Sequence, residues 1–489
     1  MNRIMTLISA FVCFSMLVSG AGSCTGSEDS PGGYKLEEIK LSKSDVTMQV
    51  GDKVTVKAYA VPTPAVAPSF QWMSDNGGVA TVKDGVIEAV APGKAVITAS
   101  CQGVVSTVNV TVQEMSKVDG YSIYDVKPNS QEKAPDLLLN GAGTFTDDGV
   151  LVSSKGKLVK LDRFYALGER TVRYEVRPSA DAVMNFRSSE GDFNAIVDVP
   201  SRQIRIMSSP TPTVKDVPFL EGEKDYAVEV SHIYQRSILS VKDLSTGKSV
   251  DVSAVHDGEG GCGKGALQKG FSVGMHFDHY CFVLESGSSF LVRRMTVSSL
   301  KDDILLMLYG DSITQPEGYF PAKDFERAWT QQVISALGGN AMSSGRGGGT
   351  IDTVLEYIKN ELPFIKTKYV MVTIGTNGGN TESKLTELVN YIRSCGAVPI
   401  LNNIPSNESG TQIKENQLID SVRKKFGIKG CMLDWATSVM GDGKEVNKDM
   451  MYWEDYTGSY GWQVYHHPNE KGGDAMMARI RLDLPELFQ

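Results

Sequence analysis

Basic runs are missing from these 489 residues. The formal net charge is −9, and nowhere do lysines and arginines gather into the cationic stripe that a nucleic-acid surface requires. Nucleic acid is therefore not an expected partner. The apolar stretch from Leu7 to Val18 is too short to span a bilayer. Cysteine is scarce and never at CxxC spacing. With Cys13 and Cys24 assigned to the leader, Cys101, Cys262, Cys281, Cys395 and Cys431 remain. That odd remainder fits neither a dense disulfide framework nor a zinc knuckle. Cys262 with Cys281, and Cys395 with Cys431, are the pairs to consider; buried free thiols are the alternative. A metal-ligand cluster and a phosphate-cradling loop are also missing, so no cofactor and no metal is implied.

What is present begins with a leader. Arg3 precedes the apolar stretch, small residues fill Ser19 to Ser23, and Cys24 follows, the layout of a secretory signal over residues 1–23. Ala21-Gly22-Ser23-Cys24 resembles a bacterial lipoprotein cleavage box, which implies that Cys24 becomes the lipidated first residue. Residues 24–33 read as an acidic tether similar to those of exported Bacteroidetes lipoproteins. The resemblance implies an outer-membrane or cell-surface protein anchored through lipid. The alternative is ordinary signal cleavage nearby and a secreted or periplasmic protein.

At this length two to four domains are expected. Residues 34–114 alternate apolar and polar positions in short runs: Val46-Met48-Val50, Val54-Val56-Ala58, Val79-Ala80-Val82, Val86 to Val90, Val96-Ile97 and Val108-Val110-Val112. Gly51-Asp52, Asp84-Gly85 and Pro92-Gly93 mark turns, and period two at this spacing predicts a β-sandwich. With Trp72 before it, the run GVIEAVAPGKAVITA from Gly85 to Ala99 resembles the bacterial Ig-like group 2 domain, which implies a spacer role.

Residues 121–300 alternate likewise in Thr171–Val176, Ala182–Phe186, Gln203–Met207 and Tyr226–Val230, as half-buried antiparallel strands do. Hairpins are expected at Ser245-Thr246-Gly247 and at Ser288-Ser289. The expectation is an all-β jelly-roll or lectin-like sandwich. His276 and His279 are three apart on a strand and point to opposite faces, so they read as packed or surface residues rather than metal ligands.

From Asp302 the period changes. Ile304–Leu308, Tyr369–Ile374 and Val398–Leu401 are continuous apolar strands, as a parallel sheet covered on both faces requires. Between them Val354, Leu355, Ile358 and Leu362, then Leu385, Leu388, Val389 and Ile392, form one-sided helical stripes. A last helix is expected over Gly472–Leu484, stopped by Pro485. In such sheets ligands sit beyond the carboxyl ends of the strands. Four blocks fall there or at a helix start: Gly310-Asp311-Ser312, Gly345, Gly375-Thr376-Asn377 and His467-Pro468-Asn469.

In this order the blocks resemble those of the SGNH/GDSL hydrolases, over residues 303–489. The resemblance implies an α/β/α, flavodoxin-like domain and carboxylic-ester hydrolysis. Ser312 would be the nucleophile and His467, rather than His466, the base. The amides of Ser312 and Gly345 and the side chain of Asn377 would form an oxyanion hole. Asp311 reads as a brace for the turn, and Arg346 as either a substrate contact or a loop residue. The sequence departs from the family where an acid is usual, three residues before the histidine, because that position is Val464. A backbone carbonyl could orient His467 in a Ser–His dyad, Asp455 or Glu454 could reach in, or the domain could be a degraded relative. With the other blocks intact, an active dyad is the expectation. The domain make-up suggests removal of O-acetyl groups from extracellular glycans. A non-catalytic glycan-binding adhesin and a lipid esterase or thioesterase are the alternatives.

Overall fold

The computed structural model describes residues 34–49, 53–91, 93–113, 122–191, 193–207, 212–255, 279–457 and 463–489. The segments expected to be a leader and a tether, with Cys24, and also Cys262 and His276 lie outside them. The chain divides into two compact units, Met1–Glu114 and Met115–Gln489.

In the first unit the alternating valines and isoleucines build small sheets. A four-stranded sheet runs Asp45–Gln49, Val104–Gln113, Gly93–Cys101, Gln71–Ser74, and a three-stranded sheet runs Lys53–Thr55, Val86–Ala89, Ala80–Lys83. Ile87, Ile97 and Val108 are fully buried among their core residues. Asp84 and Gly85 adopt φ of 52° and 78° and join two strands in which Lys83 faces Val86. A two-residue turn with both φ positive matches the twist of the strands it connects.

The second unit starts with two larger antiparallel sheets, one of eight strands and one of seven. Every second residue of Glu169–Pro178 is buried, and Tyr174 of one sheet packs on Phe186 of the other with ring centroids 4.6 Å apart. The turn at Ser245-Thr246-Gly247 joins Arg236–Asp243 to its partner Ser249–Val255. Ser288-Ser289 is not a hairpin. The strands on either side, Tyr280–Ser286 and Phe290–Ser299, belong to different sheets. Asp181 holds this corner by accepting from Ser288 N at 3.0 Å and Ser288 Oγ at 2.8 Å.

The same unit continues into a parallel sheet of β1 (Asp303–Gly310), β2 (Ala341–Gly345), β3 (Lys366–Thr373) and β4 (Val398–Leu401), in spatial order β2-β1-β3-β4. Helices α1 (Trp329–Ala336), α2 (Ile351–Glu361), α3 (Glu382–Ser394) and α4 (Gln412–Phe426) alternate with or follow the strands, and α5 (Leu433–Thr437) comes next. The place of a fifth strand is taken by a single bridge between Ile400 and Lys429. A hairpin of β5 (Met451–Asp455) and β6 (Gln463–Pro468) then precedes α6 (Glu470–Asp483). Asn469 caps α6 by accepting from Lys471 N and Gly472 N, and Pro485 lies just beyond its end. The side chains predicted to stripe α2 and α3 are buried, among them Val354, Ile358, Leu385 and Leu388.

Cys101, Cys281, Cys395 and Cys431 are free thiols, so the candidate pair Cys395–Cys431 does not form. His279 stacks on Phe164, with centroids 5.0 Å apart.

Candidate active site

β1 ends at Gly310, and the chain turns back at once. Thr314 N donates to Asp311 O at 3.0 Å and Gln315 N to the same oxygen at 3.1 Å. Asp311 is fully buried and braces two loops. One carboxylate oxygen accepts from Ile313 N at 3.0 Å inside the turn, and the other from Thr376 N at 3.2 Å in the loop after β3. Burial pushes its carboxyl up to about 6, against the pull of those amides. Trp329 at the start of α1 fixes the far side, its indole N–H donating to Ile313 O at 2.6 Å.

Glycine is required where β2 passes this turn. A Cβ on Gly345 would lie 2.7 Å from Gln315 N and 2.7 Å from Thr314 C, both backbone atoms with no freedom to rotate away. The loop after β2 is tied to the same turn, since Gly347 N donates to the Gln315 side chain at 2.7 Å. Asn377 is exposed, and its amide donates one hydrogen to Gly349 O at 2.9 Å. The loops after β1, β2 and β3 are thus bound to one another around Ser312.

Ser312 and His467 line one pocket together with Ile313, Pro316, Tyr319, Phe320, Trp329, Pro468 and Gly473. The space between them is about 10 Å³, close to the minimum that holds one water. Gly345, at the end of β2, and Asn377, on the loop after β3, stand outside that lining.

His467 owes its direction to a break in the β5–β6 ladder. Met451 faces Pro468 and Trp453 faces Tyr465, so Tyr452 alone opposes both His466 and His467. This is a β-bulge, which places an extra residue in one strand and re-aims its side chains. Both rings accordingly lie side by side, centroids 3.9 Å apart. They share a carboxylate. Nδ1 of His467 is 2.8 Å from each oxygen of Glu454, and Nδ1 of His466 is 3.0 Å from one of them.

Glu454 itself sits directly across the ladder from Val464, the position where the family pattern has its acid. The carboxylate therefore comes from the neighbouring strand rather than from the strand of the histidine. It replaces the backbone carbonyl expected to orient the ring. Asp455, the other carboxylate considered, points elsewhere and accepts from Thr457 N at 3.0 Å and Thr457 Oγ1 at 2.5 Å.

Glu454 is fully buried. Burial alone would raise its carboxyl, but the two imidazoles outweigh that and hold it down at about 2. Burial lowers the His467 imidazole below the ordinary histidine value, and the Glu454 charge opposes that shift in part. Its Nε2 is buried and makes no hydrogen bond among the described residues, while Tyr319 stacks on the ring at 4.1 Å with an interplanar angle of 20°. Glu454, His466 and His467 also form the one group of three metal-type ligands among the described residues, their donor atoms within 4.8 Å of one another.

The wall formed by Pro316, Tyr319, Phe320 and Trp329 escaped sequence reasoning. These residues lie between the motif blocks and form no pattern of their own; only the aromatic pair Tyr319-Phe320 so soon after Ser312 could have drawn notice.

Among solved structures, the chain is similar to a GDSL-like lipase from Bacteroides thetaiotaomicron, at 17% identity over 37% of this chain and 87% of that one, with a TM-score of 0.27. It is similar to a family two carbohydrate esterase from Clostridium thermocellum in complex with cellohexaose, at 11% identity over 72% and 98%, with a TM-score of 0.30. Arcelin-5, a lectin-like defense protein from Phaseolus vulgaris, is a third, at 10% identity over 36% and 96%, with a TM-score of 0.28. No curated protein matches the chain. Residues 36–112 match the bacterial Ig-like domain of group 2.

Proposed function

We propose that the chain is a serine esterase acting on short acyl esters, with Ser312 as nucleophile and His467 as base. One observation carries this reading: Ser312 shares a pocket with an imidazole whose Nδ1 is gripped by a buried carboxylate and whose Nε2 is unengaged. Such a ring is held in the tautomer that leaves Nε2 free to accept a proton, and the carboxylate stabilises the imidazolium that results.

The steps follow. His467 Nε2 takes the proton of Ser312 as Oγ adds to the ester carbonyl. The oxyanion falls to the donors of the three loops: the amides of Ser312 and Gly345 and the second amide hydrogen of Asn377. Collapse expels the alcohol, which leaves with the proton from His467, and an acyl group remains on Oγ. Water, deprotonated by the same ring, then releases the acid and restores Ser312.

The space beside Ser312 is small and walled by Ile313, Tyr319, Phe320 and Trp329, which favours a short acyl group over a long chain. For the alcohol we favour a glycan outside the cell, on the strength of the Ig-like domain and the leader; anchoring through Cys24 belongs to the same proposal.

The test is an aryl acetate and a serine-directed fluorophosphonate, applied to wild type and Ser312→Ala. Turnover and labelling are expected in the first and neither in the second. If wild type shows neither, the esterase reading is wrong and a glycan-binding role takes its place.

A further inference from the structure

The sandwich strands Tyr226–Ile233 and Arg236–Asp243 pair as a hairpin with Ile233 opposite Arg236, so Tyr234 and Gln235 form its tip. Hairpin tips normally face water. This one is buried, with Tyr234 9% and Gln235 5% exposed. Tyr234 packs with Leu306, Leu308, Ile313 and Trp329 in the core of the α/β half. Gln235 reaches further. Its side-chain amide donates to Glu317 O at 3.2 Å and to Phe320 O at 2.6 Å.

Those two carbonyls belong to the short turn after the nucleophile, in which Tyr319 N and Phe320 N both donate to Pro316 O, at 3.0 and 3.1 Å. Pro316, Tyr319 and Phe320 line the pocket at Ser312, and Tyr319 stacks on His467. Oε2 of Glu317 is buried and makes no hydrogen bond among the described residues, while the same carboxyl meets the backbone amide of its own residue. Gln235 adds a hold on the turn from outside it.

We propose that Gln235 is a positioning residue of the esterase site: from the sandwich it holds the turn that walls the acyl pocket and seats the ring of the base, and so sets which acyl length is accepted. The inference rests on the esterase reading for its second half only. An amide with two N–H donors can bridge two carbonyls of one turn; no apolar side chain can do so. Loss of the bridge frees the wall to move, and room for one further substrate methylene is worth about 10-fold or more in selectivity.

The experiment compares wild type with Gln235→Met in the full chain. Methionine keeps the volume and removes both donors. Two readouts are taken: hydrogen exchange of the Tyr319 and Phe320 amides, and kcat/KM for an aryl butyrate relative to an aryl acetate. Faster exchange at those two amides, with the butyrate-to-acetate ratio raised about 10-fold, is the expected result. Unchanged exchange overturns the proposal, as does an unchanged ratio even where total activity falls, because a merely structural residue would lower both rates alike. If wild type turns over neither ester, the esterase reading is lost, and exchange alone decides whether Gln235 holds the turn. Gln235→Glu, of the same shape and lacking the N–H donors, repeats the comparison should the methionine variant fail to fold.

Discussion

On the proposed esterase reading, a single proton on a single ring decides whether this site works. Glu454 keeps it on Nδ1 of His467, 2.8 Å away, and leaves Nε2 for the serine. Glu454→Gln removes the charge and permits the wrong tautomer, so kcat for an aryl acetate should fall about 10²–10⁴-fold. Asp455→Asn, whose carboxylate is turned to Thr457, should stay near wild type. The base must be neutral to act, and burial holds His467 below the ordinary histidine value of 6.5. The acid limb of kcat/KM should therefore have its midpoint below 6.5. In Glu454→Gln the limb should move lower still, because the carboxylate charge is what partly restores the ring's affinity for protons. A midpoint above 6.5 in wild type would assign the base to a different group.

Elements meet at this site with no room to spare, and Gly345 is where that shows. In Gly345→Ala the new methyl would press on the backbone of the nucleophile turn at 2.7 Å. Either β2 or the turn must shift. The expected cost is about 1–3 kcal/mol of stability, with a loss of about 100-fold in kcat from misplacing Ser312. Thermal unfolding and turnover measured together check it; unaltered turnover would mean that the turn tolerates displacement. Sequence made this scale legible in part. Gly310-Asp311-Ser312, Gly375-Thr376-Asn377 and His467-Pro468-Asn469 each read correctly as a strand end or helix start, because the apolar run before, or the cap after, is local information. The acid did not read out in the same way. Whether Glu454 or Asp455 faces the histidine depends on strand register, which alternates with every residue and is altered by one bulge. The corner at Ser288-Ser289 failed for a related reason. A short polar break between two strands looks the same whether the chain returns in one sheet or crosses to another.

For the molecule beyond the first unit, the change of period at Asp302 marks where strand patterning changes, yet both sides of that point lie in one compact unit. Sequence could not show this, since the contacts join residues some two hundred positions apart (Ala166 with Glu361 differ by 195). The outer edge of β2 bridges to the sandwich at Leu167 and Ser344. Glu361 fastens the junction, accepting from Ala166 N at 2.5 Å and from Ser344 Oγ at 2.8 Å. It is fully buried, and burial pushes its carboxyl up to about 8 from an ordinary 4.5. The folded protein thus keeps a proton there that the unfolded chain gives up. Stability from this group is complete below about pH 4.5, drains away as pH rises to about 8, and changes no further above it. Glu361→Gln can still accept from Ala166 N and cannot ionise. At pH 5 its melting temperature should be close to that of wild type. At pH 9 it should be the more stable protein, by an amount on the order of a few kcal/mol. The buried Glu317, pushed up to about 7, has the same sign but is present in both proteins and cancels in the comparison. Unfolding curves of the two proteins from pH 5 to pH 9 give the answer directly. A difference that does not grow with pH would mean that Glu361 is already ionised in the folded state, its charge met by Arg170, and that the junction is held by an ion pair rather than by a protonated carboxyl.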